Sequence, residues 1–230
     1  MTTTIVGAEL KDKYPGIIIN FLIDESGSMM RKAPETIQGF NQYVKDRQES
    51  REAQRSGTVF FSLTKFSNKA NVIYAAKDIK DIEPLNEQTY KPDGCTALLD
   101  AIGRTVDTVS DVIKDWEHKP AILTVIMTDG LENASSDYTH EQIKDKITEK
   151  EKEGNWTFVF LGATLDTIET AASYGIAKGN AAQYSISNID AVMRGVSCST
   201  QRYAHDTTEG VMQTNKFFDD SAANFVEDQS

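Results

Sequence analysis

The sequence predicts an α/β protein built on a doubly wound, mostly parallel sheet with helices on both faces. Three observations carry this. Short runs rich in β-branched and aromatic residues, of strand length, recur along the chain. Between them lie segments whose apolar residues return every three or four positions, the signature of helices with one buried face. The two kinds alternate, which is the order of a parallel sheet with helical crossovers.

Residues 1–15 form a polar lead-in, with a short strand at Ile5-Val6. Strand one covers about Gly16–Ile23, a continuous apolar run of the kind buried on both faces. Met30, Ala33, Ile37, Phe40 and Val44 then mark a helix, with Pro34 tolerable near its start. Thr58–Phe66 and Asn71–Ile79 read as a hairpin around Ser67-Asn68-Lys69-Ala70. Asp81–Gly94 is a polar loop carrying Pro84 and Pro92. Leu98, Leu99, Ile102, Val106, Val109 and Ile113 mark the second helix, and Ala121–Met127 the next strand. Tyr138–Lys152 is a charged helix with Ile143 and Ile147 inward. Trp156–Leu161 is a strand, Leu165–Tyr174 a helix with Gly175 as C-cap, and Gln183–Ile186 an edge strand. Asp190–Tyr203 is the last helix. The division is therefore lead-in 1–15, one domain over 16–205, and a polar acidic tail over 206–230. In that tail Phe217-Phe218 reads equally well as a strap on the body or as a docking peptide.

Chemistry concentrates in three places. Asp24-Glu25-Ser26-Gly27-Ser28 follows the first strand directly, so a carboxylate and two hydroxyls crowd its carboxyl end. That end is where open α/β sheets bind ligands. Gly94-Cys95-Thr96 opens the second helix with a hydroxyl, where an N-cap is the plain alternative. The strand Ile122–Met127 ends in Thr128-Asp129-Gly130. Taken together, these segments resemble the von Willebrand factor A (vWA) domain family, and its intracellular bacterial and phage-type members in particular. The resemblance implies a vWA/Rossmann-like, six-stranded sheet in which the hairpin supplies one antiparallel edge strand. It also implies a complete metal-ion-dependent adhesion site (MIDAS) of Asp24, Ser26, Ser28, Thr96 and Asp129. Such oxygen donors suit Mg²⁺, with Mn²⁺ and Ca²⁺ as alternatives. The ion would take a carboxylate from a protein partner's Asp or Glu. Asp24 is expected to sit in a surface cleft rather than in the core. Asn133, Ser135 and Ser136 read as solvated loop beyond it, and Glu25 as pointing away. His118, His140 and His205 are scattered without metal spacing.

Composition narrows the function classes. The chain has 230 residues, 39% of them hydrophobic and 26% charged, with a net charge of −11. That acidity argues against a nucleic-acid partner and against binding to anionic membranes. The apolar runs fall far short of the roughly 20 residues that span a bilayer. The start Met1–Val6 lacks the basic and apolar regions of a signal peptide. Cys95 and Cys198 are isolated and expected to stay reduced, so the expected location is cytoplasmic. No phosphate-binding or nucleophile-elbow motif occurs. The expectation is a non-enzymatic, metal-dependent protein-binding module. The alternatives are an assembly subunit that self-associates through its C-terminal tail, or a divalent-metal hydrolase with Glu25 as base.

Overall fold

A computed structural model of the chain describes residues 16–50, 53 and 59–218. The lead-in strand at Ile5-Val6 and the tail from residue 219 lie outside these. Strands β1 (Ile17–Asp24), β2 (Val59–Phe66), β3 (Ala70–Asp78), β4 (Ala121–Thr128), β5 (Trp156–Gly162) and β6 (Ala181–Gln183) form one six-stranded sheet. Its order is β3-β2-β1-β4-β5-β6. All neighbours are parallel except β2 and β3, the antiparallel edge pair.

The apolar run of β1 splits by parity, as a doubly covered strand must. Ile17, Ile19, Phe21 and Ile23 enter one core, Ile18 and Leu22 the other. Helices α1 (Ala33–Gln48) and α5 (Ile189–Thr208) cover the first core with Phe40, Tyr43, Val192 and Val196. Helices α2 (Leu98–Ile113), α3 (His140–Lys152) and α4 (Thr167–Ser173) cover the second, with Leu98, Ile102, Val106, Ile143, Ile147 and Ala171. Thr139 starts α3 through a reciprocal capping box with Gln142.

Four expectations need correction. Met30 does not begin the buried face of α1. It stands 63% exposed on a 3₁₀ turn, Gly27–Lys32, and Met29 is buried in its place. The tighter 3₁₀ winding shifts the phase, so the α-helical period does not extend back from Ala33. The edge strand is Ala181–Gln183, not Gln183–Ile186. The loop 82–93 is not simply polar, since Ile82, Leu85 and Tyr90 are buried from it. Helix α5 runs on to Thr208, and of the described residues beyond it Thr214 and Phe217 are tied to the body. Phe217 is fully buried there, its N–H donating to Asn180 Oδ1 at 2.9 Å, while Asn180 Nδ2 donates to the Thr214 carbonyl at 2.8 Å. Phe217-Phe218 is thus part of a strap, and the packed body continues past residue 205.

Candidate metal centre

From β1 the chain builds β2 and β3 on one side, then crosses back to build β4, β5 and β6 on the other. The order reverses between β1 and β4, and the carboxyl ends flanking such a switch point are where open α/β sheets bind ligands. Asp24 is the last residue of β1, and Asp129 follows the last residue of β4. The first loop is drawn onto its neighbours by backbone bonds. Glu25 N–H donates to the Phe66 carbonyl at 2.7 Å and Gly27 N–H to the Gly94 carbonyl at 3.0 Å. Gly94 sits at φ +79°, and a Cβ there would fall 2.5 Å from Asn68 Nδ2 in the β2–β3 turn, so this position of the second loop needs glycine.

The five expected residues converge. Ser26 Oγ and Ser28 Oγ are 3.1 Å apart, and Ser28 Oγ donates to Asp129 Oδ1. Thr96 Oγ1 and Ser28 Oγ both face Gly130, at 3.2 and 3.7 Å from where a Cβ on that glycine would stand. Asp24 accepts from Ser26 N–H at 2.7 Å and from the Thr128 hydroxyl at 2.6 Å. The site is deeper than a surface cleft. Asp24 is fully buried, Ser26 and Thr96 nearly so, and the Asp129 side chain is 1% exposed, which leaves Ser28 at the mouth. Burial pushes the Asp24 carboxyl above its ordinary range, against the opposing hydrogen bonds from Thr128 and Ser26. A desolvated carboxylate of this kind is stabilised by a nearby cation.

Thr96 is not an N-cap. Helix α2 begins after Ala97, and its first N–H groups are taken by the third loop. Leu99 N–H donates to Glu132 Oε2 at 2.9 Å and Asp100 N–H to Ser135 Oγ at 3.0 Å. In return Asp100 accepts the N–H groups of Ser136, Asp137 and Tyr138 at 3.0–3.1 Å. Asn133 holds Thr96 from both sides: its Oδ1 accepts Thr96 N–H at 2.8 Å, and its own N–H donates to the Thr96 carbonyl at 3.0 Å. The segment read as solvated loop is therefore the latch that positions Thr96. The spacing of the third loop alone could not show it, because the partners lie more than 30 residues away.

Two charged groups complete the surroundings. Glu25 is half-buried, and its Oε1 accepts from Lys65 Nζ at 2.9 Å and from Lys91 N–H at 2.7 Å. It staples the first loop to the loop before Gly94. Lys32, which the sequence did not single out, places its ammonium on Asp129 Oδ2.

The donor set fits a hard divalent ion: two carboxylates and three hydroxyls, all oxygen. Among the described residues no three His, Cys, Asp or Glu side chains gather into a metal-binding group.

No family model and no curated relative matches this chain. Solved structures do. The domain of the type V pili tip protein Mfa5 from Porphyromonas gingivalis, itself named a vWF domain, superposes with a TM-score of 0.60 at 9% identity, over 88% of this chain and 98% of that one. A von Willebrand factor type A structure from Catenulispora acidiphila gives 0.52 at 13% identity, over 81% of this chain and 42% of that one. The chain has the vWA fold. A third vWA-like neighbour, proximal thread matrix protein 1 from the mussel byssus, gives 0.57 at 16% identity, over 78% of this chain and 46% of that one. Its structure is described as having a zinc-occupied MIDAS motif. This chain spans less than half the length of that protein, and the likeness to each of the three is one of fold. Among the described residues no helix is long and apolar enough to cross a membrane.

Proposed function

We propose that this chain is a non-enzymatic, divalent-metal-dependent protein-binding module. Asp24, Ser26, Ser28, Thr96 and Asp129 would hold the ion, with Mg²⁺ as the resident metal and Mn²⁺ or Ca²⁺ able to replace it. The observation that carries the reading is the meeting of three loops, distant in sequence, at the switch point of a vWA sheet, where they bring two carboxylates and three hydroxyls together. When bound, the ion would act as a Lewis acid open to one further oxygen ligand. Three neutral hydroxyls leave that ion short of negative charge, which favours a carboxylate from a partner's Asp or Glu.

The surroundings suit a protein partner. Of seven large apolar side chains exposed among the described residues, Met30, Leu131, Leu165 and Ile186 all lie on loops at the carboxyl ends of the strands. They stand at the same end of the sheet as the five candidate ligands, where a protein partner would meet them. A hydrolase is less well supported. Glu25, the nearest spare carboxylate, is engaged by Lys65 and the Lys91 N–H and is poorly placed as a base.

The test is a thermal-shift titration with Mg²⁺, Mn²⁺ and Ca²⁺ against EDTA, on wild type and Asp24→Asn. The Asn variant keeps an acceptor for Ser26 N–H, which matters because Asp24 is buried. A ligand at a hundred times its Kd adds about 2.7 kcal/mol to the folded state. For a domain of this size that is a rise of roughly 5–10 °C. Wild type should show it and the variant should not. No rise in wild type at millimolar metal, or an equal rise in both, would refute the metal reading.

A further inference from the structure

Lys32 closes the 3₁₀ turn that begins at Gly27, one turn after Ser28. Its ammonium reaches across 97 residues of sequence to Asp129 Oδ2, while Ser28 Oγ holds Oδ1. Both oxygens of the carboxylate that the third loop supplies are thereby engaged. The pair is largely shielded, at 18% side-chain exposure for Lys32 and 1% for Asp129. Asp24, fully buried at the end of the neighbouring strand β1, adds a second carboxylate to the same site. Two carboxylates so close repel one another, and the ammonium offsets that repulsion.

We propose that Lys32 is a tethered cation that competes with the divalent ion for Asp129. This rests on the metal reading above. An ammonium approaches a carboxylate oxygen at about 2.7–2.9 Å, and Mg²⁺ at about 2.0–2.1 Å. Both cannot take Asp129 Oδ2 without placing a unit charge and a double charge within a few ångströms, in a cleft where water screens them poorly. Metal loading therefore releases Lys32 from Asp129. The flexible four-carbon stem lets the ammonium swing out to water without moving the backbone. Because the competitor is covalently attached, its local concentration does not fall on dilution. The lysine sets a threshold: the ion must outcompete it before the site opens to a carboxylate ligand.

The experiment is calorimetric titration of Mn²⁺ and Mg²⁺ into chelator-treated wild type, Lys32→Met and Lys32→Arg. Thermal unfolding of each in EDTA runs in parallel. Lys32→Met should bind metal about ten-fold or more tightly than wild type and should melt lower in EDTA, having lost the counter-cation. Lys32→Arg keeps a cation and should stay close to wild type in both readouts. Metal affinity unchanged or weakened in Lys32→Met, while wild type binds, overturns the proposal and leaves the metal reading intact. Absence of binding in wild type and Lys32→Met alike, at millimolar metal, removes both. Should Lys32→Met fail to fold, Lys32→Gln carries the same comparison.

Discussion

Replacing Asp100 with Ala removes a carboxylate that hydrogen-bonds none of the five cleft residues yet ties the third loop to α2. Its two oxygens accept three backbone N–H groups, from Ser136, Asp137 and Tyr138. A hydrogen bond to a charged acceptor contributes roughly 1.5–3 kcal/mol when shielded. These three are only part-buried, so water recovers some of each, and about 1 kcal/mol apiece is the reasonable figure. The variant should lose about 3 kcal/mol, or roughly 6–12 °C in melting temperature for a domain of this size. Urea unfolding gives the free energy. Amide hydrogen exchange at residues 136–138 shows whether the loss is local to the latch. Because the same loop carries Asn133, which grips Thr96, metal affinity should fall as well. Asp100→Asn should be milder, since it retains one oxygen and Oδ1 already takes two of the three N–H groups. A loss below about 1 kcal/mol in Asp100→Ala, with unchanged exchange, would refute the latch.

Two further predictions concern the body of the domain. Phe217→Ala empties a fully buried ring site and should cost about 3–5 kcal/mol by urea unfolding. A cost under about 1 kcal/mol would place the strap outside the cooperative unit. Glu151 has a buried oxygen without a hydrogen-bond partner, and burial pushes its carboxyl up to about 7 from an ordinary 4.5. The folded protein then keeps a proton that the unfolded chain releases. The contribution of Glu151 to stability is greatest below pH 4.5 and is lost as pH rises toward 7. Glu151→Gln should therefore gain on wild type as pH rises through that window, in unfolding measured across pH. A difference that does not change with pH would count against it.

What could be read from the sequence was what local chemistry determines. Ile17–Ile23 had to be a doubly covered strand, and a carboxylate and two hydroxyls at its end had to face the crevice there. What could not be read depends on partners far along the chain. Lys32 looks like an ordinary basic residue near a helix start until the 3₁₀ turn aims it at Asp129. Asn133 looks like loop until its bonds to Thr96 are seen. Phe217-Phe218 was undecidable because the group that fixes it, Asn180, lies 37 residues away. The last strand was misplaced because a three-residue edge strand carries almost no periodicity, and its position follows from its pairing with Phe160–Gly162.

The register between β1 and β4 has a consequence for how this chain tolerates insertion. Ile23 lies level with Met127, so the next residues along are Asp24 and Thr128, which are joined side chain to side chain at 2.6 Å. Asp129 stands one step farther out. A single residue inserted within β4 would move Asp24 opposite a different side chain, and a single deletion would set the two carboxylates abreast with no hydroxyl between them. Side chains also alternate in direction along a strand, so either change would turn the apolar residues of β4 to the wrong cores. The length of β4 is thus as much a part of the site's specification as the identity of its ligands. A scan of one-residue insertions and deletions should find the segment from Ala121 to Asp129 among the least forgiving in the chain.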